Sequence, residues 1–401
     1  MTHPGALDGV GLRAAYQPVV HLETGDVVGF EALARGPRPP ADMLDDAARA
    51  GRLAEFDWRC RDLALAGALD AGLGNSLTLF VNVEADTPAA VPQEHLERVE
   101  AAGAGLRIVL EVTERAVVQQ PAELLRLVDW ARQRSWGIAL DDIGADPGSL
   151  AMMPFLEPDV VKLDLRLVQQ RPTPEIGLIM SAVLAQAERS GAVVVAEGVE
   201  EADQREAALA LGATLGQGWL YGHPGPLPDV LPQCGTVVPL HRSWPQHDEP
   251  TPFTLVRAAL PVRRAGKQQL LSVAAHLEEQ AVAWADGPVV LSTFSDGEEL
   301  DAATTARYDR LAGRGSFVAA LRTGGAVAAG PGVRSAALPA GHRLGDEWSV
   351  VVVGPHYAGA LVARQSRPGE DAYDYVVTHQ RELVVEAGRS LLRHVVPRRV
   401  G

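Results

Sequence analysis

Residues 107–142 read RIVLEVTERAVVQQPAELLRLVDWARQRSWGIALDD. Two short runs in it, RIVLEVT and GIALDD, are apolar almost throughout until carboxylates interrupt them. Runs of that kind suit strands covered on both faces, as in a parallel sheet. Between them, PAELLRLVDWARQRS has helical periodicity and opens on Pro121, where the missing N–H costs nothing. Strand, helix and strand in one short span make a βαβ unit, which demands a parallel sheet with helices outside it.

The same alternation extends in both directions. AAYQPVV, VVGFEAL and LTLFVNV precede the quoted stretch, and VVKLDL, AVVVAEG and TLGQGWLYG follow it. PEIGLIMSAVLAQAERS (174–190) is a further helix, stopped by Gly191. Eight strand candidates with intervening helices between about residues 12 and 222 predict a (β/α)8 TIM-like barrel. The first two runs are joined only by HLETGD, too short for a helix, so the first strand is expected to run antiparallel.

Residues 224–252 are rich in Pro and polar residues and carry no sustained period. The expected organisation is a barrel over 1–240, a linker over 241–252 and a smaller α/β domain over 253–395. In the last, LLSVAAHLEEQAVAWA and TTARYDRLAGR read as helices, and GPVVLSTFS, SFVAAL and EWSVVVVGP as strands. Asp296 and Glu298 sit at a strand end there, where a solvated turn is the expected role, and the glycines of RTGGAVAAGPG lack phosphate-loop spacing.

Composition narrows the function. With 401 residues, 47% of them hydrophobic, the chain can bury sizeable cores and is not globally disordered. It shows no run of about 18 apolar residues and no charged-then-apolar leader, which predicts a cytoplasmic protein without a membrane segment. Cys60 and Cys234 alone exclude a disulfide framework. A net charge of −15 argues against a nucleic-acid polymer as partner, while a small phosphorylated ligand stays open if bound cations offset the field. Only two of the 36 basic residues, Lys162 and Lys267, are lysines, and Asn75 and Asn82 are the only asparagines. A Lys or Asn inside a motif is therefore notable.

The barrel's strand runs end on polar residues: Glu31, Asn82, Glu111, Asp141 with Asp142, Lys162, Glu197 and Gln217. In this architecture such ends converge on one mouth. Facing carboxylates repel unless they are protonated or hold a cation. Oxygen ligands suit Mg²⁺ or Mn²⁺.

Taken in order, YQPVVHLETGDVVGFEALAR, FVNV, LEVTE, LDDIG, VKLD, AEGVE and QGWLYGHP resemble the motifs of EAL-domain cyclic-di-GMP phosphodiesterases over about residues 10–225. The resemblance implies a barrel with an antiparallel first strand, two Mg²⁺ or Mn²⁺ ions per site, and hydrolysis of cyclic di-GMP to linear pGpG. It implies that Glu31, Asn82, Glu111 and Asp141 hold one metal. Asp141 and Asp142 hold the second, with Glu197 near it. Lys162 contacts the attacking water, Gln217 organises the metal and water shell, and Arg35 pairs with a substrate phosphate. Gln17 and Asp57 face the guanine side, and Glu114 braces the loop after the paired aspartates. A homodimer through the barrel is a further expectation.

One segment departs from the pattern: DDFGTGYSS in the family stands here as Asp141-Asp142-Ile143-Gly144-Ala145-Asp146-Pro147-Gly148-Ser149. That change keeps a second reading open, a weakly active or inactive cyclic-di-GMP receptor signalling through protein contacts. Residues from about 253 to 390 resemble the DICT sensory domain, which implies input from a small-molecule or protein signal.

Overall fold

The computed structural model describes residues 11–85, 87, 90–144, 147–233, 235–241, 250–283, 287–294, 302–324, 330, 332–367 and 370–396. Asp296, Glu298, Cys234, Ala145, Asp146 and most of the 325–331 glycine stretch lie outside them. The chain divides into two compact units. One comprises 1–116, 126–145 and 158–244; the other comprises 117–125, 146–157 and 245–401.

The first unit is a closed eight-stranded barrel in sequential order. Its strands are β1 (Arg13–His21), β2 (Val27–Arg35), β3 (Thr78–Asn82), β4 (Arg107–Thr113), β5 (Gly137–Ile143), β6 (Val160–Leu163), β7 (Val193–Ala196) and β8 (Leu215–Gln217). Each sequence-predicted strand is present. β1 runs antiparallel to both β2 and β8, and the other neighbours are parallel.

One apolar layer organises the interior. Val19, Val28, Phe80, Val109, Ala139, Val160, Val195 and Leu215, one from each strand, form a single buried cluster. Val238 completes it and Leu240 packs against it. Val238, from the Pro-rich, aperiodic stretch that predicts the barrel's exit, is therefore part of the barrel's core, while Thr236, Val237 and Pro239 around it stay exposed. Arg107 Nε donates to Val238 O at 3.1 Å. Beyond it, His241 donates from its backbone N to Asp159 Oδ1 at 2.6 Å, and its ring Nδ1 lies 2.8 Å from the same oxygen. Asp159, buried, also accepts from Arg132 Nη1 at 2.5 Å and Ile138 N at 2.7 Å.

The second unit centres on a seven-stranded mixed sheet. Its strands are β9 (Arg263–Gly266), β10 (Val289–Phe294), β11 (Phe317–Thr323), β12 (Arg334–Leu338), β13 (Glu347–Val353), β14 (Ala358–Gln365) and β15 (Ala372–Thr378), arranged β12-β11-β10-β13-β14-β15-β9. Period-two alternation gives the sheet two apolar faces. Val350 and Val352 pack with Leu270, Leu277, Tyr308 and Leu311 of the helices Lys267–Ala283 and Ala302–Ala312. Val351, between them, lies beside Gly388 of the Arg381–Leu392 helix, where an added Cβ would approach Phe155 and Val351. Phe155 belongs to the 146–157 segment, whose Leu150, Met152, Met153 and Leu156 are also buried. Arg389 holds that segment: Nε donates to Phe155 O at 2.9 Å and Nη2 pairs with Glu157 at 2.9 Å. Among the described residues no helix is long and apolar enough to cross a membrane.

Candidate active site

The polar residues form the next layer of the barrel. Asn82, Glu111, Asp141, Lys162, Glu197 and Gln217 each stand two positions after their strand's member of the apolar ring. A period of two keeps them on the same inward face. On antiparallel β1 the same step runs backwards, from Val19 to Gln17. On β2 the step is three residues, because the β1–β2 register shifts at Val19/Val20 and inserts an extra residue at Val28. A single layer thus carries one polar side chain from every strand.

Lys162 occupies its centre. Its Nζ, almost fully buried, lies 2.7 Å from Glu197, 2.8 Å from Glu111, 3.2 Å from Asp141 and 3.5 Å from Glu31. Burial works against the charge on Lys162, but Asp141, Glu111 and Glu197 outweigh it and hold the ammonium well above the usual lysine range. Glu31 is held below the usual carboxylate range: burial would raise it, and Lys162 with hydrogen bonds from Gln217 and Asn82 overcomes that. Burial drives Glu111 the other way, well above the carboxylate range, with the Glu31 charge adding to it. Glu197 is pushed up to about 8, mainly by burial.

The Asp141–Asp142 pair rests on a local irregularity. The β5–β6 register breaks between Leu140 and Ile143, and Asp142 has φ +59°, a left-handed conformation unusual outside glycine. The break suspends strand alternation, so two successive carboxylates serve the same end of the barrel. Oxygens of Asp141, Asp142 and Glu197 lie within 4.8 Å of one another. Burial, then the neighbouring Asp141 charge, raises Asp142. Gly144 follows at φ +108°, with Leu167 where a Cβ would stand.

Four carboxylates thus face one ammonium, and the exposed Asp142 stands next to one of them. Glu111 Oε2 accepts no hydrogen bond among the described residues, and Glu111 Oε1 and Asp141 Oδ1 face the Lys162 ammonium. An all-oxygen, largely buried and over-charged donor set of this sort fits hard divalent cations. Around it, Glu31 accepts from Asn82 Nδ2 at 2.8 Å and from Gln217 Nε2 at 2.6 Å.

The remaining expected residues fall in several places. Arg35 ends β2, donates to Ala34 O at 2.8 Å and makes no ion pair among the described residues. Glu114 is buried at the start of the short helix Glu114–Gln119, directly after β4. Asp57 lies on the Leu53–Asp70 helix, buried and ion-paired to Arg61, with Glu84 N at 3.3 Å. Gln17 is spent on protein partners, Gln217 and Gly222 O. Sequence reasoning missed the Arg61 partner and the Arg132–Asp159–His241 group. An arginine one helical turn after Asp57 was the available signal for the first.

The fold and this layer define the class, and the family comparison agrees: the EAL domain model matches residues 4–224, and the chain belongs to that family. Residues 254–366 match the Sensory domain in DIguanylate Cyclases and Two-component system, DICT. Among its relatives is the cyclic di-GMP phosphodiesterase RocR of Pseudomonas aeruginosa, 31% identical over 242 residues, covering 57% of this chain and 61% of that protein. The cyclic di-GMP phosphodiesterase NbdA of the same organism is 31% identical over 232 residues, covering 54% of this chain and 29% of the relative. A solved Klebsiella pneumoniae BlrP1 manganese/cyclic-di-GMP complex is 29% identical with a TM-score of 0.49, covering 56% of this chain and 58% of that one. The chain thus spans about six tenths of RocR and under a third of NbdA.

Proposed function

We propose that the barrel hydrolyses one phosphodiester of cyclic di-GMP, giving linear pGpG, with two Mg²⁺ or Mn²⁺ ions. The observation that carries this reading is the inward layer of four carboxylates around Lys162, with Asp142 beside Asp141, in a chain of the EAL family. Glu31, Asn82, Glu111 and Asp141 would hold one ion, and Asp141, Asp142 and Glu197 the other. Such ions lower the pKa of a water and neutralise charge on attacking and leaving oxygens.

The chain's own groups do the rest. Lys162, charged and buried, cannot act as a base; it holds the attacking water by donating to its oxygen and offsets charge on the phosphate. Arg35, which pairs with no carboxylate among the described residues, offers its planar fork to a phosphate. Gln217 orients Glu31, and Glu114 braces the loop that follows Asp141 and Asp142. Asp57 would reach a guanine only by giving up Arg61, so substrate binding rests first on Arg35 in this proposal.

The sensory domain is proposed to regulate turnover. Support comes from the 146–157 segment, which follows the Asp141–Asp142 strand directly and is built into the second unit. Cytoplasmic location and a homodimer through the barrel complete the proposal. The departure of residues 143–149 from the family pattern favours one alternative, a receptor that binds cyclic di-GMP without turnover. The deciding experiment incubates the full chain with cyclic di-GMP and Mn²⁺ or Mg²⁺ and resolves products by ion-exchange chromatography. Formation of pGpG, stopped by a chelator, is expected. Tight binding with no product would make the barrel a receptor instead.

A further inference from the structure

We infer that Gln17 is a positioning residue for the cation-binding layer, acting through Gln217 on Glu31 rather than on a guanine; the inference rests on the metal reading above. β1 lies between β2 and β8, and its register sets Gln17 directly opposite Glu31 and Val19 opposite Gln217. Gln17, buried like its neighbours, donates from Nε2 to Gly222 O at 3.0 Å. Its Oε1 accepts from Gln217 Nε2 at 3.1 Å, and the same Nε2 donates to Glu31 Oε2 at 2.6 Å.

The direction of this relay is forced. A backbone carbonyl only accepts, so Gln17 must turn its NH₂ to Gly222 and its oxygen to Gln217. Gln217 must then turn its own NH₂ inward, where two hydrogens serve Gln17 and Glu31. The reverse orientation would set the Gln217 oxygen against the Glu31 carboxylate. With the relay in place, both Glu31 oxygens are held by donors, Oε1 by Asn82 and Oε2 by Gln217. Gln217 Oε1, buried and without a hydrogen bond among the described residues, remains available to a water or ligand donor. A group that orients a metal ligand in this way typically changes affinity by 10- to 100-fold when removed.

The test measures Mn²⁺ binding by the substrate-free full chain, using electron paramagnetic resonance titration. Gln17→Met, which keeps the bulk and loses both polar atoms, should weaken Mn²⁺ binding roughly 10- to 100-fold. Gln17→Glu, an acceptor where Gly222 O needs a donor, should fail alike. Circular dichroism shows whether each variant is folded, and a folded Gln17→Glu suffices if Gln17→Met is not. At saturating Mn²⁺ the KM for cyclic di-GMP should stay within about twofold of wild type. Unchanged Mn²⁺ affinity with a raised KM would overturn the inference and return Gln17 to the guanine side. A wild-type chain that binds no Mn²⁺ would instead overturn the metal reading itself, and the inference with it.

Discussion

Replacing His241 by Ala should loosen the end of the barrel remote from the carboxylate layer, and should do so in a pH-dependent way. Both ring nitrogens face acceptors, Nδ1 at 2.8 Å from Asp159 Oδ1 and Nε2 at 3.0 Å from Ser190 O, so the ring is fully satisfied only as imidazolium. The hydrogen bond to Asp159 is the main cause that lifts His241 above its ordinary range. Asp159 is held low: burial raises it, but His241, Arg132 and two backbone donors prevail. A raised histidine stabilises fully below its unfolded value, about 6.5, and loses that contribution as pH climbs through the folded value. A lowered aspartate contributes above about 4 and loses it as pH falls. The pair therefore stabilises between about pH 4 and somewhat above pH 6.5. Hydrogen bonds to charged groups contribute about 1.5–3 kcal/mol. The ring's side chain is 32% exposed, so solvent screening trims this to about 1–2 kcal/mol. Native-state hydrogen exchange at the Ile138 amide, another donor to Asp159, reads the effect directly. At pH 6 His241→Ala should speed exchange roughly 5- to 30-fold over wild type, with the ratio falling toward one by pH 9. A ratio that is equal at both pH values, or absent at pH 6, would refute the reasoning.

Glu31→Ala, Asn82→Ala and Asp141→Asn should each cut turnover roughly 100-fold or more while leaving the circular dichroism spectrum in place. Lys162→Arg should fail as badly, because its longer planar head cannot replace a compact ammonium among four carboxylates at 2.7–3.5 Å; near-normal pGpG formation would show Lys162 to be merely structural. Arg389→Ala removes the ties to Phe155 O and Glu157 and should slow turnover by roughly 5- to 150-fold if the two units are coupled with ordinary strength. Unaltered steady-state kinetics in that variant would separate the sensory domain from the site.

The barrel is legible in the sequence because each strand run is short, apolar and ended by a polar residue, and because HLETGD leaves no space for a helix. The site layer is legible for the same reason: a period of two places Asn82 on Phe80's face and Lys162 on Val160's. Long-range partners are not. His241 meets Asp159 across 82 residues, and TVVPLH has too few apolar positions to declare itself a core segment. Gln17 in YQPVV reads equally as a ligand contact or an amide relay, since only the position of Gly222 O decides. In the second unit, GPVVLSTFS and EWSVVVVGP show as strands, while β14 and β15 stay hidden because Arg, Asp and Tyr interrupt ALVARQ and AYDYVV.

The grip of Arg389 on Glu157 spans 232 residues and bears on the order in which the molecule is made. Domains generally fold as units during synthesis, N-terminal first, at about 5–20 residues per second. The barrel's strands are complete by Gln217, yet the 146–157 segment cannot reach its final place until the last helix of the second unit has been translated. At those rates, roughly 10–50 s separate the translation of Glu157 from that of Arg389. A chain that stops before Arg389 would hold every residue of the barrel's polar layer and still lack the helix that the 146–157 segment is tied to. The segment that follows the Asp141–Asp142 strand is thus settled last, by a stretch of chain translated long after it, and a premature stop leaves it without the arginine that ties its Phe155 and Glu157.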